Sequence, residues 1–569
     1  MIQNDDIRPW IKSYDKGLAP DIEIPDKTCV DLLEESMKEN PDRPVIYYMD
    51  KIFRFRDLDD LSARFASYLY KKGIGPGKVV GINLPNIPQY LIALSGAFRA
   101  GATVTGISPL LSPHEMAYQI NNANVQALVT LDVLFEKNLL KIKDEVPGLE
   151  TVITTGVGDY LGPARRILGS LLGKIPKGKC MPIPGKDVLR FHHVLKETRA
   201  LPPKIKISPE ETCLIQYTGG TTGIPKGTIL THANMTANFT QISAWVNFNA
   251  GCDVLCSAFP LFHLAGLMFS MAAMASQNPQ CLIPDPRNTG HICRQIAKYS
   301  PTVMANVPTL YQMLLEEPVF KTLDFSSTRI LISGAAPFSI ESIHALEAVV
   351  GKGKVMEVYG MTEASPILTM NPFQGEKKPG SVGLPVHNTR IKLVDIETGT
   401  REVDFDEEGE IIASGPQITG GYHNRPEETA NALRRFKGST WLYSGDIGKM
   451  DKDGYLYIVD RLKDMVIVGG YKVFSREVEE KLGQHPDVEF CAIVGVPDPD
   501  RPGSEIVKAV IQMAADSTKK DAKKLEQEII SFCKENMASF KAPRIVEIVD
   551  EIPLTSVGKV DKKALRKVR

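Results

Sequence analysis

At 569 residues the chain exceeds what one hydrophobic core normally serves, so at least two folding units are expected, with ample length for a buried active site. Lysine and arginine total 67 against 68 for aspartate and glutamate, a balance that gives no electrostatic footprint for nucleic acid. The nine cysteines show neither CxxC pairs nor His/Cys clusters, and Cys252 and Cys256, the closest pair, have no matching second pair; free thiols in a reducing, cytoplasmic compartment are the simple reading.

The N-terminal MIQNDDIRPW is acidic and polar, unlike a secretory signal. LDDLSARFASYLYKKG, Leu58 to Gly73, repeats apolar residues at helical spacing and ends in Lys-Lys-Gly, a helix stop. KVVGINLP (Lys78 to Pro85), VQALVTL (Val125 to Leu131), TCLIQYT (Thr212 to Thr218), TVMANVP (Thr302 to Pro308) and RILISGAA (Arg329 to Ala336) are short and bounded by Gly, Pro or polar residues, as buried strands are. Their alternation with helical stretches predicts an α/β fold of parallel sheets covered by helices. FPLFHLAGLMFSMAAMA, Phe259 to Ala275, is slightly short for a membrane span and carries a proline and a histidine, so a buried helix is expected.

From about Thr389 the texture changes to closely spaced strands, predicting a β-rich subdomain over 389–460 that closes an N-terminal domain of residues 1–460. A compact α+β module follows over 461–569, with helices around Arg476 to Leu482 and Ala522 to Lys534 and strands at CAIVGVP and IVKAVIQM.

The chemistry centres on YTGGTTGIPKGTILTH, Tyr217 to His232. It is not a P-loop, since Pro225 precedes Lys226 and Gly227 follows it. Glycines nevertheless let backbone N–H groups converge on phosphate oxygens, threonines add donors and the lysine adds a point charge. The loop follows a predicted strand, where open α/β sheets bind ligands. Taken alone it reads equally as a flexible surface turn.

YTGGTTGIPKG resembles the signature loop of the acyl-adenylate-forming enzymes, which include acyl-CoA synthetases, carrier-loading adenylation domains and luciferases. Three further stretches match in order: YGMTEAS (Tyr359 to Ser365), YSGDIGKMDKDGYLYIVDRLKDMVIVGGYKV (Tyr443 to Val473) and PLTSVGKVDKKALR (Pro553 to Arg566). The resemblance covers nearly the whole chain. It implies that ATP and a carboxylic acid give acyl-AMP and pyrophosphate, and that CoA then gives acyl-CoA and AMP. It makes Thr218, Gly219, Gly220, Thr221, Thr222 and Lys226 the pyrophosphate cradle. Tyr359 would stack on adenine, Thr362 bond the α-phosphate and Glu363 ligate Mg2+, a hard cation suited to a carboxylate. Gly334, Ala335 and Ala336 would lie along the adenine, and Asp446 and Arg461 would bind the ribose hydroxyls.

The same resemblance assigns Lys559 to a mobile domain, bridging the carboxylate and the α-phosphate during adenylation, where it would offset charge that develops in the transition state. Lys463 occupies the hinge position. Rotation there would present Gly469, Gly470 and Tyr471 to the CoA arm. His263 would lie beside the acyl carboxylate as a further catalytic residue, with Ala265, Phe269, Ser365 and Pro366 lining the acyl pocket. None of these carries a fixed charge of the kind an amino-acid substrate would want, so a fatty or other apolar acid fits better.

Asp159 to Lys179 resembles an insertion of medium- and long-chain fatty acyl-CoA synthetases. Ala164, Ile167, Leu168, Leu171 and Leu172 share one helical face, with Arg165, Arg166 and Lys174 nearby. Such a basic amphipathic helix suits the inner face of a membrane; packing against the large domain is the other reading. The partners implied are small molecules. Three functions stay open: a fatty acid–CoA ligase, or its alicyclic or aryl counterpart; an enzyme that loads a separate carrier protein; and a non-catalytic nucleotide binder.

Overall fold

The computed structural model describes residues 8–162, 167–169, 172–173, 175–218, 224–469, 471–501, 504–514, 517, 522–555 and 560–566. The architecture is α/β, as the alternation predicts. One seven-stranded sheet runs in the order Asp187–Arg190, Thr151–Thr155, Val125–Leu131, Val79–Asn83, Thr103–Gly106, Thr212–Thr218, Lys226–Thr231. Its first six strands are parallel, and Lys226–Thr231 returns antiparallel along Thr212–Thr218. Val79–Asn83 and Val125–Leu131 are buried along their entire length, the pattern of parallel strands covered on both faces.

A nine-stranded sheet has a parallel centre and antiparallel edges. In it Ile330–Ser333 lies between Val303–Asn306 and Val355–Gly360, with Ser333 opposite both Asn306 and Glu357. Helices Pro88–Arg99 and Leu264–Ala275 are buried on almost every side and share one hydrophobic core with strands of both sheets. The second helix starts later than the apolar run Phe259 to Ala275 suggests. Pro260 cannot donate to a helical ladder, and His263 caps the first turn, its Nδ1 accepting the Ala265 N–H at 3.3 Å.

An antiparallel five-stranded sheet follows, built from Arg390–Val394, Gly409–Ser414, Leu433–Phe436, Ser439–Met450 and Leu456–Arg461. Beyond it the hairpin Val466–Val468 and Tyr471–Val473, the sheet of Val488–Pro497, Glu505–Met513 and Ile545–Val549, and helices Ser475–Leu482 and Ala522–Asn536 form a smaller unit with its own core. Among the described residues no helix is long and apolar enough to cross a membrane.

Candidate active site

Three strand ends and one connecting segment build the site. Strand Thr212–Thr218 leads into the Gly/Thr-rich stretch, and Lys226 enters the sheet opposite Thr218. Gly219, Gly220, Thr221 and Thr222 lie outside the described residues. Lys226 Nζ sits 5.3 Å over the ring of Tyr422, whose hydroxyl donates to Glu363 Oε1 at 2.7 Å. Tyr422 is brought there by a backbone match: Ile229 N–H donates to Gly421 O, His423 N–H donates to Gly227 O, and Thr419 N–H donates to Glu363 O at 2.9 Å. Burial, and then the Glu363 charge, push the Tyr422 phenol far above its usual value, so it remains a donor.

Thr362 and Glu363 are buried in a short 3-10 turn after strand Val355–Gly360. Gly360 is required by packing, because a Cβ there would lie 1.9 Å from the Pro366 carbonyl oxygen. That carbonyl receives the Met361 N–H at 2.8 Å, which fixes the turn holding Glu363. Ser365 is fully buried and donates its hydroxyl to Gln417 O at 2.8 Å.

On the adjoining side Tyr359 donates its hydroxyl to Asp446 Oδ2 at 2.8 Å, and Arg461 Nε lies 3.1 Å from Asp446 Oδ1. Asp446 and Arg461 face each other across neighbouring strands, so the sheet itself sets the pair. A carboxylate has about four lone-pair directions, and these two contacts leave acceptor capacity on both oxygens. Burial and the Asp446 charge hold the Tyr359 phenol well above its usual value. Gly334, Ala335 and Ala336 leave the end of the neighbouring strand Ile330–Ser333, with Ala335 at φ +68°. Such left-handed backbone is uncommon for a residue with a Cβ and marks a fixed turn.

Ala265 and Phe269 lie four residues apart on one face of helix Leu264–Ala275, both half-buried, with His263 at its start. Phe269 lines a small cavity together with Ser257, Gly266, Ser270, Gln280 and Cys281.

In the smaller unit Gly469 adopts φ +56° and donates its N–H to Ser504 Oγ at 2.9 Å. Exposed Tyr471 stacks on Phe540 with ring centroids 4.7 Å apart. Gly470 and Lys559 lie outside the described residues; Leu554 and Val560 pair in an isolated antiparallel bridge. The Lys463 carbonyl accepts from Arg566, which also pairs with Asp464 at 2.6 Å. Burial and the neighbouring Arg461 charge lower the Lys463 ammonium.

Sequence reasoning missed two features. Tyr422 bridges the loop lysine to Glu363, and its only local mark is the Gly-Gly turn that precedes it. A buried network also spans the junction of the two units. Asp460 accepts from the Ser475 N–H and hydroxyl, and Lys562 Nζ donates to Ser475 Oγ at 2.6 Å and pairs with Glu479 at 2.8 Å.

Residues 33–423 match the AMP-binding enzyme family, and residues 477–559 match the AMP-binding enzyme C-terminal domain. The chain belongs to the AMP-binding enzyme family. It is 36% identical over 564 residues to a long-chain-fatty-acid–CoA ligase of Bacillus subtilis (strain 168), covering 98% of this chain and 97% of that one. A ligase of the same name from Escherichia coli O157:H7 is 34% identical over 565 residues, with the same coverage. Among solved structures, an anthranilate CoA ligase in complex with anthranoyl-AMP superposes with a TM-score of 0.81 at 25% identity, covering 96% of this chain and 97% of that one. Both halves of this family member are therefore matched, in order, along nearly the full chain.

Proposed function

We infer that the protein is an AMP-forming acid–thiol ligase that makes acyl-CoA from a long-chain fatty acid, ATP and CoA. The observation that carries this reading is the run Lys226, Tyr422, Glu363, which joins the phosphate-loop lysine of one sheet to a carboxylate at a strand end of the other through contacts of 5.3 and 2.7 Å.

A carboxylate is a poor acyl donor because oxide is a poor leaving group. In the first half-reaction its oxygen attacks the α-phosphorus, and the bond from that phosphorus to pyrophosphate breaks. Thr218, Gly219, Gly220, Thr221, Thr222 and Lys226 hold the departing pyrophosphate. Thr362 bonds the α-phosphate, Tyr359 and the Gly334 to Ala336 segment flank the adenine, and Asp446 and Arg461 take the ribose. Glu363 fits Mg2+, since its carboxylate is a hard oxygen donor held by one phenol with the second oxygen left over; the ion, when bound, neutralises phosphate charge. Lys559 offsets charge in this transition state.

In the second half-reaction the CoA sulfur attacks the acyl carbon and AMP leaves. The unit 461–569 turns about Lys463 relative to residues 1–460, with 389–460 as the subdomain next to the hinge, and Gly469, Gly470 and Tyr471 line the CoA path. His263, Ala265, Phe269, Ser365 and Pro366 surround the acyl group. Relatives named for long-chain fatty acids favour such an acid over an aryl one.

Part of the enzyme's contact with its substrate is through lipid. Ile167, Leu168 and Leu172 are 62%, 58% and 59% exposed, which supports segment 159–179 lying on the inner face of a membrane while the enzyme works from the cytoplasm. Purified protein with ATP, Mg2+ and acids of graded length, with and without CoA, tests the whole reading. Pyrophosphate release with acid alone and thioester only with CoA are expected; thioester absent from every acid would overturn it.

A further inference from the structure

The fold assembles a Cys/His cluster that sequence spacing conceals. Cys29 opens helix Cys29–Glu39, Cys213 is the second residue of strand Thr212–Thr218, and His232 opens helix His232–Val246. They are 1%, 0% and 3% exposed, and their ligating atoms all lie within 4.8 Å of one another. The Cys29 N–H donates to His232 Nδ1 at 3.3 Å, a long bond that a metal ligated through that nitrogen would replace. The Phe98 ring packs edge-on against the imidazole, with centroids 5.6 Å apart, and Cys213 Sγ is 3.4 Å from Leu230 O.

We propose that Cys29, Cys213 and His232 form a structural site for a thiophilic d10 cation, Zn2+ or Cu+, at the root of the phosphate-loop hairpin. Two sulfurs and an imidazole are the donors such ions select over Mg2+ or Ca2+. With metal–sulfur bonds of about 2.3 Å and metal–nitrogen bonds of about 2.0 Å, ligand atoms stand roughly 3.5–4 Å apart, within the spacing found. Three donors satisfy Cu+.

Ligation takes both cysteines as thiolates, so binding releases their protons to solvent. The site would tie the first helix to the strand whose far end enters the phosphate loop, setting the loop's base without touching the reacting atoms.

The full chain carrying Cys252→Ser, which removes the exposed thiol, is purified without chelator and analysed for metal. The apoprotein is then titrated separately with Zn2+ and Cu+ against competing chelators, and with Co2+ as an optical probe. About one ion per chain, a thiolate-to-Co2+ charge-transfer band and a higher melting temperature with metal are expected. Cys213→Ala and Cys29→Ala, each added to that background, should abolish uptake and the band; using both keeps a readable variant if one fails to fold. The ion held against the stronger competitor identifies Zn2+ or Cu+. A chain that neither retains an ion nor gives the Co2+ band, or uptake unchanged in the alanine variants, overturns the site.

Discussion

Tyr422 donates its hydroxyl to Glu363 Oε1 at 2.7 Å while its ring lies under the Lys226 ammonium, at 5.3 Å, so one side chain orders groups on both sides of the cleft. Tyr422→Phe keeps the ring under Lys226 and removes the donor to the carboxylate. A hydrogen bond to a charged group contributes about 1.5–3 kcal/mol, so kcat/KM should fall about tenfold or more. The Mg2+ concentration for half-maximal rate should change as well, because Glu363 loses its fixed orientation. Tyr422→Leu, which also removes the ring, should be worse and raise the ATP KM. Equal behaviour of the two variants in a magnesium titration would show that the ring contact contributes nothing.

The difference between what the sequence discloses and what it conceals follows from contact distance along the chain. Val125–Leu131 is legible because a strand covered on both faces must be apolar throughout, and that pattern is local. The stretch 217–232 stands out in the sequence because its glycines, threonines and lysine are concentrated within a few positions. Tyr422 is not, since its partner Glu363 is 59 residues away and the two meet only when strand Lys226–Thr231 pairs with the Gly421 backbone. Cys29 and His232 are 203 residues apart, and spacing rules for cysteine cannot see them as neighbours. The start of helix Leu264–Ala275 was hidden for a different reason, because an apolar run says nothing of where its cap lies.

Lys559 and Lys463 should separate the half-reactions. Lys559→Ala should abolish acyl-adenylate formation yet leave thioester formation from supplied acyl-AMP largely intact. Lys463→Pro should do the converse, because a fixed φ hinders rotation, giving slow thioester formation with near-normal pyrophosphate release. Single-turnover assays of each half-reaction decide this, and equal losses in both for Lys559→Ala would sink the two-conformation mechanism.

Glu357 makes stability pH-dependent. Its carboxyl is pushed up from 4.5 to about 7, chiefly by burial, with one backbone donor, Gly380 N–H at 3.2 Å, opposing the rise. The folded state therefore holds a proton that the unfolded state releases. The stabilisation is fully present below about pH 4.5 and is lost as pH rises through about 7, a difference of about 3 kcal/mol at most. Glu357→Gln keeps an acceptor for Gly380 and removes the charge. Its melting temperature should exceed that of the parent at pH 8 and approach it at pH 5; an equal difference at both values would contradict the assignment.

Segment 159–179 should bind lipid through its exposed side chains. Replacing Ile167, Leu168 and Leu172 by serine should weaken sedimentation with anionic vesicles, as should charge reversal at Arg165 and Arg166, while turnover of a short soluble acid stays unchanged. Undiminished vesicle binding in both variants would remove the membrane role.

Acyl size should be set at Ala265. It occupies the first turn of helix Leu264–Ala275, two residues beyond His263 and one turn before Phe269, so a larger side chain there would project along the face that also carries Phe269. Each buried methylene contributes about 0.8 kcal/mol, and a few of them shift preference by on the order of a hundredfold. Ala265→Trp should therefore lower kcat/KM for long acids far more than for short ones, with the ATP KM nearly unchanged, because the proposed nucleotide contacts Tyr359, Asp446 and Arg461 lie on strands away from this helix. Measured across a series of chain lengths, a uniform loss, or none, would place the wall that limits the tail somewhere other than Ala265.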